Sequence, residues 1–161
     1  MKRFLMTPEG KQELEKELKQ LVEVERLQII KDIEEARAHG DISENSEYED
    51  AKERQAMCEG RIQDIKSKLS LSQVFAASHH KPSPGAEQTV IFGCRVVVED
   101  ADGNEFNYKI VGVDEADVKN NKISYESPLG RALIGKGFDD EVKFIAPNGE
   151  REFEILEIHY D

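Results

Sequence analysis

"IEEARAHGDISENSEYEDAKERQ", Ile33 to Gln55, decides the fold of the first half of the chain. To its left, apolar residues recur at steps of three and four: Leu14, Leu18, Leu21 and Val22, then Ile29, Ile33 and Ala36, with a polar break near Glu25 and Arg26. Gly40 interrupts the pattern. To its right the period resumes through Tyr48, Ala51, Gln55, Cys58, Ile62, Ile65 and Leu69, the alternating spacing of a coiled-coil seam. Two helices of similar length joined by a short non-helical stretch predict an antiparallel hairpin. With about 30 residues in each, the hairpin is expected to be roughly 45 Å long.

The first helix has a clear start, because Thr7 can cap it, Pro8 fits the first helical position and Glu9 favours the positive end of the dipole. Outside the seam the surface is charged, as in "EKELKQ" and "KERQ", which reads as solvated helix face. From periodicity alone, a coiled coil used as a spacer or dimer arm accounts for the hairpin as well as a functional role does.

The turn concentrates negative charge, with Asp41, Glu44, Glu47, Glu49 and Asp50 placing five carboxylates within ten residues. Helix-start chemistry accounts for part of this: Asp41-x-x-Glu44 and Ser46-x-x-Glu49 both fit a capping box. One cap is enough, however, and crowded carboxylates repel one another. A carboxylate pair three residues apart can also offer hard oxygens to a divalent cation such as magnesium, which keeps several waters and needs other groups to complete its shell. The residues leave both roles open.

Beyond "SHHKPSPG", Ser78 to Gly85, whose prolines and glycine mark a linker, the periodicity changes. "TVIFGCRVVVED" and "EFNYKIVGV" flank the turn "ADGN", and "EVKFIA" and "REFEILEIHY" flank "PNGE", so two hairpins are expected. "KISYES" is expected as a fifth strand and "PLGRALIGK" as a short helix from Pro128, with Leu129, Leu133 and Ile134 in the core. The fold class is therefore α+β: a helical hairpin over residues 1–76 with its acidic tip at 41–47, a linker over 77–85, and a small antiparallel sheet with one helix over 86–161. His79 and His80 read as exposed spacers in the linker. Cys58 and Cys94 lie in segments of different type and read as buried small side chains rather than ligands or a disulfide.

With 161 residues and a net charge of -12, the chain lacks the clustered cations that non-specific nucleic-acid binding needs, so any such contact must be local or mediated. "MKRFLMTPEG" has no apolar run of signal-peptide length, and a cytoplasmic location without membrane contact is expected.

Over nearly its whole length the chain resembles the bacterial Gre-type transcript cleavage factors. The likeness lies in "MTPEG", the Ile33–Gln55 stretch, "EGRI", "VIFG", "YKIVGVDEAD", "KISYESPLGRALIGK" and the closing "EFEILEIHY". Gly-Asp at 40 and 41 with Glu-Asn-x-Glu-Tyr at 44 to 48 is the specific tip motif; Ser46 stands where many members have Ala. The resemblance implies a hairpin that enters the secondary channel of RNA polymerase and stimulates magnesium-dependent cleavage of backtracked nascent RNA. The polymerase would remain the enzyme. Asp41 and Glu44 are then the catalytic and metal-holding residues, sharing magnesium with the polymerase, and none binds tightly to the free protein. Ser43 and Asn45 shape the tip or touch the polymerase. Tyr48, on the seam, either packs the end of the hairpin or meets substrate. Arg37 and Lys52 match a small basic patch for the RNA 3′ end, or are solvated surface.

The globular domain is implied to have a fold like that of FKBP-type prolyl isomerases, and fold likeness does not carry activity. With no Trp and few aromatics it offers little for a proline pocket. A polymerase-docking role is expected instead, with "SPLGRALIGK" as the stretch to suspect, and the protein is expected to act as a monomer. The alternative is a non-cleaving channel binder that regulates or inhibits polymerase, against which the presence of both Asp41 and Glu44 argues. A free-standing metal nuclease would need further ligands and a positive groove.

Overall fold

The computed structural model describes residues 3–39 and 42–161, the side chains at 39 and 42–45 excepted. The chain folds as two compact units, one built on Lys11–Ser72 and the other on Leu5–Gly10 with Gln73–Asp161.

The first unit is the helical hairpin. Helix α1 (Pro8–Gln20) runs through a π-helical turn at Leu21–Glu25 into α2 (Arg26–His39), and α3 (Ile42–Ser70) packs against α2. The start is as the sequence predicts: the Thr7 hydroxyl accepts a hydrogen bond from the Gly10 amide at 3.1 Å. The polar break at Glu25 and Arg26 falls at the π turn, and its cause is geometric. Leu21 and Ile29 lie eight residues apart, too many for two α turns; one turn with an i→i+5 bond takes up the excess, so both side chains meet the seam. A two-helix hairpin has only one neighbour to pack against, so among the described residues burial is confined to Leu14, Leu21, Ile29, Ile33 and Ala36 on one arm and Ala51, Cys58, Ile62 and Ile65 on the other. Leu18, Val22, Gln55 and Leu69 are only half-buried.

Among the described residues, three ion pairs cross the seam. Arg26 meets Glu59 through two bonds of 2.7 and 2.8 Å, Arg61 meets Glu17 at 2.5 and 2.9 Å, and Arg54 meets Asp32 at 3.2 Å. Low residues on one arm meet high residues on the other, as an antiparallel pair requires. These pairs fit the register that the buried seam imposes.

Two short strands were not visible in the periodicity: β1 (Phe4–Met6) and β2 (Ser72–Val74) form a two-stranded sheet. Three residues are too few to show a period of two. Ala77–His80, expected as linker, is a 3-10 turn whose Ala77 is buried in the globular core; His79 and His80 are exposed, and the His80 ring stacks on Phe75 at 4.2 Å.

The second unit holds a five-stranded sheet of β3 (Arg95–Asp100), β4 (Glu105–Val111), β5 (Lys122–Ser124), β6 (Glu141–Ala146) and β7 (Gly149–His159), in the order β5-β4-β3-β7-β6. Both expected hairpins form. The β3–β4 turn is fixed by Asp100, whose carboxylate accepts from the amides of Asp102 and Asn104 at 2.9 Å each. The purely antiparallel sheet expected from the sequence needs correction at one edge, because β5 runs parallel to β4. After Val111 the chain returns through two 3-10 turns at Val113–Glu115 and Val118–Asn120, and Lys122 comes to lie beside Lys109, pointing the same way. The first strand is also shorter than "TVIFGCRVVVED" implies. Gly93 adopts φ +88, and a Cβ there would sit 3.2 Å from that of Ala77, so the chain turns before β3 can begin.

Helix α4 (Pro128–Leu133) is capped by the Ser127 hydroxyl, which accepts from the Gly130 amide at 3.0 Å. Gly130 must be glycine, since a Cβ would lie 2.2 Å from the Ser124 carbonyl oxygen. Leu129 and Leu133 join Val96, Val98, Ile110, Val142, Phe153 and Ile155 in the core. Ile134 does not: it caps the helix end and is 37% exposed, a correction to the expected core. Both cysteines are free and buried as predicted, and burial pushes both thiols up.

Candidate functional site

The acidic tip is presented by the ends of α2 and α3. Approaching it, the seam narrows from Ile29 and Ile33 to Ala36 on one arm and begins at Ala51, 1% exposed, on the other. Small side chains let two helices approach closely, so the last turns are held by backbone packing rather than bulk. Asp32 anchors this end through Arg54, and hydrogen bonds from Gln28 and Arg54 hold its carboxyl below the usual range.

α3 is helical from Ile42 onward, which places Ser46 inside the helix and removes the capping role that Ser46-x-x-Glu49 offered. Of the tip residues expected from the resemblance, Asp41 lies outside the described residues, and so do the side chains of Ser43, Glu44 and Asn45, whose backbone is helical. Glu47, Glu49 and Asp50 are exposed on the first turns of α3. Tyr48 is half-buried next to the seam. Arg37 is exposed near the end of α2, and Lys52 is exposed with its ammonium donating to the Gln55 side chain at 3.0 Å. Among the described residues, no group of three or more His, Cys, Asp or Glu side chains is arranged to hold a metal ion, and no helix is long and apolar enough to cross a membrane.

In the globular unit, the stretch suspected of docking, Ser127 to Lys136, presents Arg131, Ile134 and Lys136 to solvent while Leu129 and Leu133 are buried. Sequence reasoning missed Glu115. Its carboxylate accepts from the Thr7 amide at 3.0 Å, from the Thr7 hydroxyl, and from the Gly112 amide at 2.9 Å. No local motif signals a partner 108 residues away.

Two family models match the chain in sequence order, the N-terminal domain of the GreA/GreB transcription elongation factors over residues 4–74 and their C-terminal domain over residues 85–160. The chain belongs to the GreA/GreB family of transcription elongation factors. A relative from Acinetobacter baumannii named transcription elongation factor GreA is 51% identical over 161 residues, covering 99% of both chains, and one of the same name from Pelobacter propionicus is 50% identical over 157 residues, covering 97% of this chain and 96% of its own. Among solved structures, GreA factor homolog 1 of Thermus thermophilus is 28% identical, with 98% of this chain and 99% of that one covered, at a TM-score of 0.43. Both family models are matched in order, and the acidic stretch at residues 41–50 lies within the N-terminal match.

Proposed function

We propose that the chain inserts its hairpin into the secondary channel of bacterial RNA polymerase and stimulates magnesium-dependent cleavage of backtracked nascent RNA, so that arrested complexes resume elongation. One observation carries the reading: a hairpin whose second arm is a continuous helix of 29 residues, about 44 Å long, has five carboxylates within ten residues of sequence where its two arms meet. A packed seam one residue wide and charged outer faces suit a narrow, wet channel. Membership of the GreA/GreB family supports the same reading.

Asp41 and Glu44 are the residues that would hold magnesium. Their chemistry fits, because both are hard oxygen donors, and it is incomplete, because two carboxylates leave most of the coordination shell to other groups. Held by these residues together with the polymerase's own carboxylates, magnesium would supply charge stabilisation to the phosphodiester oxygens as the bond is hydrolysed. The tip carboxylates orient the attacking water by accepting its hydrogen bond. The chain is therefore no enzyme by itself; it completes the polymerase's site. Arg37 and Lys52 face the phosphates of the extruded RNA, Ser43 and Asn45 shape the tip, and Tyr48 packs the end of the hairpin. The globular unit docks on the rim of the channel, the chain acts as a monomer in the cytoplasm where polymerase works, and its contact with RNA stays local, in keeping with a net charge of -12.

The test is to add purified protein to stalled bacterial elongation complexes carrying labelled RNA, with magnesium. Shortened RNA that can be extended again is the expected result. Polymerase binding that inhibits without shortening the RNA would favour the non-cleaving alternative.

A further inference from the structure

Within the hairpin unit, a groove of about 450 Å³ opens on one flank, between the first arm and α3, and most of its lining is apolar. Leu21, Ile29 and Cys58, all buried, form its floor, and Met57, 71% exposed, borders it on α3. Glu25 and Gln28 border it on the other arm. Leu21 and Glu25 are also the first and last residues of the π turn, so the groove lies where the first arm departs from α-helical geometry. Such turns are rare in helices and are found frequently at functional sites. The volume falls in the range of small-molecule sites, which are concave and mainly apolar, with a few polar groups that fix orientation.

The charged groups of the groove are not equally engaged. Arg54 and Arg61 line it on α3, and both guanidiniums have carboxylate partners: Arg54 meets Asp32 at 3.2 Å, and Arg61 meets Glu17 at 2.5 and 2.9 Å and Asp64 at 2.9 Å. Glu25 is exposed and makes no salt bridge among the described residues. Burial first, and then the Glu25 carboxylate, push the Cys58 thiol up, which places that charge close to the apolar floor. With both guanidiniums neutralised, Glu25 is the charge left for a ligand to meet. The net charge of -12 favours a cation over the molecule as a whole.

The geometry points to this groove as a binding site for a small arylalkyl ammonium compound, its ring seated on Leu21, Ile29, Met57 and Cys58 and its ammonium beside Glu25. An aromatic ring suits the floor because thioether sulfur makes favourable contacts with ring edges, and Met57 has the flexibility to close over it. An anion fits less well, since it would have to draw Arg54 from Asp32 or Arg61 from its two carboxylates. An uncharged analogue keeps the ring contacts and forgoes the charge. The site takes no part in RNA cleavage as proposed for the tip, and it adds a ligand to the hairpin that the family assignment does not supply.

The experiment uses the full chain labelled with carbon-13 at its methionine methyls, which gives three reporters, Met1, Met6 and Met57. The probe is phenylbutylamine, with phenylbutanol and phenylbutyrate as controls of the same shape and different charge. The expected result is a saturable shift of the Met57 methyl with the buried Met6 unmoved, and a Kd of about 1 mM or tighter, the scale of so small a ligand. The amine should bind about threefold more tightly than the alcohol, as an exposed ion pair allows, and the acid more weakly than either. Glu25→Gln, at an exposed position, should bring the amine to the affinity of the alcohol. Gln28→Trp, which fills the groove from its exposed border, should weaken both, with helicity on heating used to confirm that the hairpin still folds. No saturable Met57 shift in the folded parent would remove the site. Acid binding as tightly as amine, or an amine affinity unchanged by Glu25→Gln, would overturn the choice of a cation. Unchanged affinity in a folded Gln28→Trp variant would place the ligand elsewhere. All of this is read on the free protein, so it stands or falls independently of the tip's role in cleavage.

Discussion

Glu115 illustrates how much one residue can hold. Its carboxylate satisfies two amides, those of Thr7 and Gly112, as well as the hydroxyl that caps the first helix. Glu115→Ala would leave those groups short of partners in a partly buried site, and the cost expected in thermal or denaturant unfolding is about 2–4 kcal/mol. Gly10→Ala should act in the same direction, since a Cβ at that position lies 2.2 Å from the Glu115 carboxyl carbon and must push it away. A loss below about 0.5 kcal/mol for both would show that water replaces the carboxylate without penalty. The tip residues carry the opposite signature. Asp41→Ala and Glu44→Ala should each lower stimulated RNA cleavage by roughly a hundredfold or more, the scale of a lost proton-handling group, while polymerase binding changes little. Near-parental cleavage by either variant would remove that residue from the catalytic role.

Among the elements, the hairpin depends on its crossing ion pairs in a way that pH exposes. The hydrogen bond from Arg61, opposed in part by desolvation, lowers the Glu17 carboxyl below its ordinary 4.5, and Gln28 with Arg54 does the same for Asp32 from 3.8. A carboxyl lowered by folding binds fewer protons in the native state than in the unfolded one, so its contribution is complete above the ordinary value and disappears as pH falls through the folded value. Hairpin helicity, followed by circular dichroism during heating, should therefore lose stability as pH drops below about 4.5, and Glu17→Gln should flatten that decline. An unchanged pH profile would show that these half-exposed pairs are fully screened. The hairpin was legible in the sequence because a single buried seam imposes one period along both arms, down to the polar break that marks the π turn. Other features were not legible. β1, β2 and the parallel pairing of β5 involve three-residue strands, too short for a pattern, and the Glu115 contact joins distant parts of the chain. The carboxylates of the tip are visible as residue types while their role comes only from the resemblance, and the side-by-side placement of Arg95, Lys109 and Lys122 exists only once register pairs their strands.

For the molecule as a whole, the decisive question is whether the tip works alone or only as part of a larger site, and magnesium answers it. Asp41 and Glu44 are only two carboxylate acceptors, and magnesium gives up its waters reluctantly, so the free protein should bind the ion at millimolar levels or more weakly. In the polymerase channel the same residues would meet further carboxylates and RNA phosphate oxygens, and the ligand set would become sufficient. Cleavage by the complex should then rise with magnesium. Asp41→Asn keeps the shape of the side chain and removes its charge, so it should move the magnesium requirement upward, with higher concentrations restoring part of the rate. Two measurements check this, calorimetry of magnesium with the free protein and the magnesium dependence of cleavage by parent and Asp41→Asn. Tight stoichiometric binding in the first, or RNA cleavage in the absence of polymerase, would mean that the chain holds a self-contained metal site. A magnesium requirement identical in parent and variant would mean that Asp41 does not hold the ion, and the water-orienting role would pass to Glu44 alone.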